Sequence, residues 1–350
     1  NNIWLNLSIN PNSNIHPFNN YNWNKIWYEN LSIANQDIKI FVVSDDNLTI
    51  AILPMIQKKL FFSYLENFGS ISADYCPILI DKSFHNIDEI INLILNKIKS
   101  LKQNFINIEK IQSILFHSVN SEKLKCKFFY ENLNTYLLDK EMINSINYVK
   151  KTHKNNLDTN RQIRRLKKLG KIKFKIFEKT SDHYQDIIHQ MISFKSEMYR
   201  KTNKRNIFKN QSYKNFYINL FTEANLHDTH VSCLFLNDKI ISVHLGFVSR
   251  DTFYYLMPSY DLQYSKYSPG KVLLNYLFNF CDNYNIRYFD FTVGNEEYKK
   301  IWANQSFKIY NFRKSINIKG LIVNYSLYLK SKIRSNKTIY KYYSIFRNFI

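Results

Sequence analysis

Across residues 171–318 the spacing of apolar side chains changes period repeatedly, and each change marks an element. Residues 171–178 alternate basic and apolar positions (Ile172, Phe174, Ile176), as a half-buried strand does. Residues 181–200 set Ile187, Ile188, Met191, Phe194 and Met198 on one helical face, and 213–224 reads as a second helix. Strands follow at 231–236 and 239–249, joined by Asn237-Asp238, a pair that tolerates positive φ. Next come an aromatic strand at 252–257, a helix from Ser268 to about 283, a strand at 288–292, a short helix at 296–303 and a closing strand at 307–318. The order β-α-α-β-β-β-α-β-α-β makes the 252 and 288 strands parallel neighbours across a right-handed crossover.

The first half carries a looser version of this pattern. A helix is predicted at 19–31, strands at 38–43 and 49–57, a helix at 87–102, a strand at 113–117, a short helix from 121 and a strand at 135–138. A seam between the two halves is expected near 140–149.

The helix opening at Ser268-Pro269-Gly270-Lys271 is the first candidate for chemistry. Serine is a preferred N-cap, and proline at the first helical position gives up no needed N–H. Gly270 has no Cβ, so a ligand can approach its backbone. The amides of Gly270, Lys271 and Val272, with the Lys271 side chain, would then bind an anion at the positive end of the helix. A capped surface helix that binds nothing has the same sequence.

Charge narrows the class of partner. The net charge is +21 on 350 residues, from 49 Lys+Arg against 28 Asp+Glu. Residues 148–175 hold eleven basic residues and one acid, and 319–350 hold seven basic residues and no acid. Such clusters attract phosphates, nucleic acid or anionic lipid. Enrichment in Asn, Ile and Lys, as AT-rich coding would produce, accounts for part of the total but not for the clustering. Cys76, Cys126, Cys233 and Cys281 are widely separated in apolar settings without metal-ligand spacing, so reduced thiols and no metal are expected. The first residues carry no basic-then-apolar leader, and no run approaches a membrane span. A soluble cytoplasmic protein is expected, with peripheral contact to an anionic membrane as a further option.

The stretch Tyr148-Val-Lys-Lys through Arg161-Gln-Ile-Arg-Arg165 to Gly170 resembles the basic linker helix of CelD-like (BcsL-type) acyltransferases. That group lies in the GNAT superfamily and is related to the Fem peptidyltransferases. Further matching pieces are Leu236-Asn-Asp-Lys-Ile-Ile-Ser-Val-His-Leu-Gly246, Tyr260-Asp261, Ser268-Pro-Gly270, Phe289-Asp-Phe-Thr-Val-Gly294, Tyr298-Lys299 and Trp302. Phe18, Trp23, Trp27, Phe68-Gly69 and Ala73-Asp74-Tyr75 fit as well. The resemblance implies an α/β (α+β) fold of tandem GNAT-like domains, each a twisted mixed sheet flanked by helices. Boundaries are expected at 1–147, 148–318 and a basic aromatic tail at 319–350. It further implies acyl-CoA, with acetyl-CoA expected, held between splayed strands at 252–257 and 288–292. The phosphate loop departs from the usual GNAT signature, which carries Gln/Arg and more glycines.

Acyl transfer to an amine needs orientation, a proton sink and donors to the developing oxyanion. Backbone amides near Met257 would serve the oxyanion, and Ser268, Gly270 and Lys271 the donor phosphates. His244, mid-strand, is the first candidate base, or else a packed strand histidine. Asp290, between Phe289 and Phe291, orients substrate or caps the following turn. By the family pattern Lys299 joins the catalytic set and Tyr298 the substrate site, and Asp74 and Tyr75 line an acceptor cleft. Arg161 and Arg165, four apart on one helical face, suit a sugar-nucleotide or lipid-pyrophosphate acceptor. The expected reaction is N-acylation of an amino-sugar or cell-surface polysaccharide precursor. Alternatives are an aminoacyl-tRNA donor, with tRNA bound by the basic segments, and a non-enzymatic anionic-surface or nucleic-acid binding module. The tail at 338–350 puts Ile339, Tyr342, Tyr343, Phe346 and Phe349 on one face, suited to docking or to an anionic membrane.

Overall fold

The computed structural model describes residues 2–32, 36–46, 48–59, 63–69, 72–84, 87–101, 103–116, 129–143, 146–223 and 228–335. The chain forms two compact units, residues 1–133 with 307–350, and residues 134–306. Along the chain run helices α1 (Asn2–Ile9) and α2 (Tyr21–Leu31), strands β1 (Gln36–Asp45), β2 (Leu48–Lys59), β3 (Ser63–Asn67) and β4 (Leu79–Ile80), helix α3 (Ile87–Ser100) and strand β5 (Phe105–Gln112). Strand β6 (Phe129–Asp139), helix α4 (Ile146–Lys167), strand β7 (Ile172–Phe177), helices α5 (Tyr184–Lys201) and α6 (Gln211–Thr222), and strands β8 (Thr229–Leu236), β9 (Lys239–Ser249) and β10 (Thr252–Tyr260) follow. Helix α7 (Pro269–Asn283), strand β11 (Tyr288–Val293), helix α8 (Glu297–Trp302), strand β12 (Gln305–Ser315) and helix α9 (Ile318–Ser335) complete it.

In the second unit the strands lie in the order β6-β11-β10-β9-β8-β7, antiparallel except for the parallel pair β10–β11. Its core joins Leu273, Leu274 and Leu277 of α7 to Phe253, Phe289 and Phe291 of the sheet and to Leu166 of α4. Helix α4 turns Thr152, Thr159, Gln162 and Leu166 inward at helical spacing, so Lys150, Lys154, Arg161 and Arg164 face out. The Tyr148 hydroxyl and Lys151 Nζ donate to the carbonyls of Trp302 and Ala303, at 2.9 and 2.7 Å, and moor α4 to α8.

In the first unit the order is β1-β2-β3-β5-β12, with β4 beside β2 and only β3–β5 parallel. Ile90, Ile91, Ile94, Leu95 and Ile98 of α3 pack on Leu53, Met55, Leu65, Ile106 and Ile108. Both units are therefore mixed sheets flanked by helices.

Three expectations change here. The strand predicted at 113–117 lies earlier, at Phe105–Gln112, and Ser113–Phe116 is a 3-10 turn. The strand beginning near 307 pairs with β5 in the first unit, and the compact units divide at 133/134 and 306/307 where 147/148 and 318/319 were expected. Both differences have one cause. Arg313 Nε donates to Asn107 Oδ1 at 3.0 Å and Nη2 to Glu109 Oε1 at 3.4 Å, while the Asn311 side chain accepts the Lys110 amide at 2.7 Å. Polar residues that hide β5 from an apolar pattern are thus satisfied by partners on β12. Helix α1, absent from the pattern, buries Trp4 and Leu7. The short helix predicted from 121, Cys126 and the 338–350 tail lie outside the described residues.

Candidate active site

Strands β10 and β11 pair over only three positions: Thr252 with Tyr288, Phe253 with Phe289, and Tyr254 with Asp290. Past that level both strands leave the shared register. The β10–β9 ladder shifts between Tyr254 and Met257 and resumes with Met257 opposite Leu245. The β11–β6 ladder shifts between Asp290 and Val293. Thr292 takes φ 59°, a left-handed conformation unusual for a β-branched residue. The Asp290 carboxylate holds that turn, with Oδ1 accepting the Thr292 amide at 2.7 Å and the Thr135 hydroxyl at 3.3 Å. A bulge in one strand and a turn in the other open a wedge between neighbouring parallel strands. Met257, expected at this edge, is there and buried.

Helix α7 starts beside the end of β10. A Cβ built on Gly270 would meet only the Tyr260 ring, at 3.4 Å. Ser268 does not cap as its residue type suggests. It takes φ 50° and ψ 52°, makes no side-chain cap bond, and its carbonyl accepts the amides of Lys271 (2.9 Å) and Val272 (3.1 Å). Two of the three amides expected to bind an anion therefore turn inward, and side chains carry more of the positive potential. A cavity of about 550 Å³ lies at this helix start, lined by Lys154, Asn155, Leu157, Asp158, Arg161, Arg164 and Lys271. Lys271 Nζ lies 2.7 Å from Asp158 Oδ2, and Arg161 Nη2 lies 2.5 Å from Asp158 Oδ1. The Lys271 hydrogen bond, with Arg161 beside it, holds the Asp158 carboxyl below its usual range.

Arg165, expected to fork beside Arg161, is used otherwise. Its Nη1 donates to Gln162 Oε1 (2.9 Å) and to the Lys266 carbonyl (3.0 Å), and its guanidinium lies 5.0 Å from the Tyr267 ring centroid. Arg164, one residue earlier, lines the cavity in its place.

His244 is fully buried, with neither ring nitrogen partnered. It stacks on Tyr255 with ring centroids 4.7 Å apart and on Phe253 at 5.3 Å, and His230 lies 5.9 Å away. Burial holds its pKa well below 6.5, with His230 and Lys195 adding to the depression, and burial brings His230 to about 3. Gly246 makes this stack possible, because a Cβ there would overlap the Tyr254 carbonyl and the imidazole. His244 is thus a neutral member of an aromatic block, with no hydrogen-bonded route for a proton.

Lys299 is also buried. Its Nζ donates to the Val293 carbonyl at 2.9 Å and pairs with Glu296 at 3.2 Å. Gly294, at φ 148°, leaves the space for that pair. Lys299 and Asp290 therefore shape the turn that ends β11. Tyr298 sets its ring edge-on to Tyr255 and Phe291, at 6.5 and 6.2 Å between centroids. Asp74 and Tyr75 belong to the first unit, where Tyr75 packs on His16 and Phe18 at 5.5 and 5.6 Å. Asp158, the anchor of two cavity cations, was not among the residues expected. Its signal was its position as the one acid in a segment of eleven basic residues.

Residues 153–300 match the acetyltransferase (GNAT) domain family. This stretch, a little over two-fifths of the chain, is similar to GNAT-type acetyltransferase domains. It contains β7–β11, the wedge, the α7 start and most of α4, so the domain type and the site coincide. No curated protein sequence matches the chain. Among solved structures, FemX is similar over 83% of this chain and 91% of its own, at 10% identity and TM-score 0.53. The C-terminal domain of a putative lysylphosphatidylglycerol synthetase from Agrobacterium fabrum covers 89% and 90%, at 10% identity and TM-score 0.54. L-PGS from Bacillus licheniformis covers 91% and 98%, at 12% identity and TM-score 0.51. At such identities these likenesses concern the fold alone. Among the described residues no group of His, Cys, Asp and Glu could hold a metal, and no helix is long and apolar enough to cross a membrane.

Proposed function

We propose that residues 134–306 transfer an acyl group from a coenzyme A thioester to an amine. The observation that carries this reading is the parting of β10 and β11 after Tyr254 and Asp290, beside a helix start with Gly270 and Lys271. An extended amide-bearing chain such as pantetheine can lie along an opened strand edge, using the main-chain groups a neighbouring strand would otherwise take. The donor's phosphates then meet Lys271, Lys154, Arg161 and Arg164, where guanidinium groups give paired donors to phosphate oxygens. Gly270 leaves its backbone open to the diphosphate.

Within this reading the protein contributes mainly position and charge. The acceptor amine attacks the thioester carbonyl, the thiol leaves, and the amine's proton passes to water. His244 and Lys299 are assigned to shaping the wedge, because both are buried within packed structure. The CelD-like resemblance directs the acceptor toward amino sugars of cell-surface polysaccharide precursors. Titration calorimetry with acetyl-CoA tests the donor: saturable binding is expected for the intact chain and none for Gly270→Glu. Equal affinity in the two proteins would overturn the site.

A second reading, with an aminoacyl-tRNA donor, draws on the outward basic face of α4 at the same cavity. It predicts tRNA affinity falling steeply with salt and surviving Gly270→Glu.

A further inference from the structure

Helix α9 shows solvent an apolar stripe where a surface helix ordinarily shows polar residues. Ile318, Leu321, Ile322, Tyr325, Tyr328 and Leu329 are 76, 58, 65, 63, 49 and 43% exposed. Their spacing of three and four residues puts them on one face, about 17 Å long at 1.5 Å per residue. The opposite side of the helix is already in use. Gly320 lies so close to β5 that a Cβ would overlap the Asn104 carbonyl, and Val323 and Leu327 are half-buried. The exposed stripe is therefore not a core face displaced outward but a second apolar face, and a contiguous patch of this kind marks an interaction site.

Charge distinguishes among occupants. Residues 319–350, which begin in α9, contain seven basic residues and no acid. Two copies joined through this face would bring two such segments together against their mutual repulsion. An anionic lipid surface instead attracts the charge and accepts the apolar stripe. Tyr325 and Tyr328 suit the same boundary, being apolar along the ring and polar at the hydroxyl. Among the described residues no helix, α9 included, is long and apolar enough to cross a bilayer. We propose that α9 lies in the interface of an anionic membrane, with Leu321, Ile322 and Tyr325 in the acyl region. This inference is independent of the donor chemistry at α7.

Co-sedimentation of the full chain with vesicles tests it. Binding is expected to phosphatidylcholine vesicles containing about 30% phosphatidylglycerol and to weaken with salt, with little binding to phosphatidylcholine alone. The double variant Leu321→Glu, Ile322→Glu alters only exposed positions, so it should keep the melting temperature while partitioning at least about tenfold more weakly. A full chain that stays in the supernatant with phosphatidylglycerol vesicles overturns the proposal, as does a double variant that binds unchanged. A vesicle-free dimer that the same variant dissolves also overturns it, in favour of a second copy of this chain.

Discussion

The two units hold the same local topology and finish it differently. Each has one parallel pair of three positions, β3–β5 in the first and β10–β11 in the second. Each also has a left-handed non-glycine residue just beyond that pair, Lys110 at φ 64° and Thr292 at φ 59°. In the first unit the gap is filled. The Asn67 side chain accepts the Glu109 amide at 2.7 Å, Lys110 Nζ donates to the Ala73 carbonyl, and the Cys76 amide donates to the Lys110 carbonyl at 2.8 Å. Gly69, at φ 73°, sits where a Cβ would press on Ala73 and Trp23. In the second unit Thr292 bonds back to Asp290, and Gly270 faces only the edge of the Tyr260 ring. The helices differ in sign as well, since α3 carries Glu89 in its first turn and α7 carries Lys271. Acids in a first turn repel an anion that a lysine there attracts. One topology therefore gives a sealed notch in one unit and an open, positive one in the other.

The largest effect expected from this contrast is on donor affinity. Gly270→Glu should weaken acetyl-CoA binding at least about 100-fold by placing bulk and negative charge at the diphosphate position, roughly 3 kcal/mol. Its circular dichroism and melting temperature should stay near those of the parent.

Alanine at the two glycines sharpens the contrast in stability. Gly69→Ala meets a positive φ and two close neighbours, so a loss of about 3 kcal/mol is expected in urea unfolding. Gly270→Ala, inside a helix with room for a methyl, should change stability by no more than about 1 kcal/mol. Equal losses would break the distinction between sealed and open notches.

Acid separates the units by their buried histidines. Burial brings the pKa of His16, in the first unit, to about 3, and that of His230, in the second, also to about 3, with His244 well below 6.5. Each histidine is neutral in the folded protein and takes a proton near pH 6.5 when unfolded. Its contribution is therefore complete above pH 6.5 and declines as pH falls, by about 1.4 kcal/mol per pH unit per histidine. Between pH 6.5 and 5 the second unit should lose stability about twice as steeply as the first. His244→Phe should remove roughly half of the second unit's slope while leaving turnover intact. Loss of turnover in a folded His244→Phe protein would make His244 the base.

The smallest effect lies on α4. Arg164→Ala should weaken acetyl-CoA binding about threefold to tenfold, whereas Arg165→Ala should leave it within about twofold. Calorimetry on the two variants checks the division between a cavity arginine and one packed on Tyr267.

The sequence revealed most where apolar spacing was undisturbed. Strands β7 to β11 and helices α5 to α7 fall within a few residues of their predicted positions, because Ile172, Phe174 and the aromatic run at 253–255 keep a clear period. Strand β5 was misplaced because Asn107 and Glu109 look solvated in sequence and are paired with Arg313 of β12 in the fold. The wedge was legible as a strand–helix–strand unit with Ser-Pro-Gly at its turn. The share of side chains over backbone amides there was not, since residue type could not foretell the left-handed Ser268 whose carbonyl takes two of the amides. Asp158 escaped because its partner Lys271 is 113 residues away in sequence.

Hydrogen–deuterium exchange with and without acetyl-CoA puts the comparison of notches most directly to the test. The account predicts slower exchange in peptides covering 255–260 and 268–274, with 64–69 and 105–112 unchanged. Protection confined to the first unit's notch, or none at either notch under saturating acetyl-CoA, would contradict it.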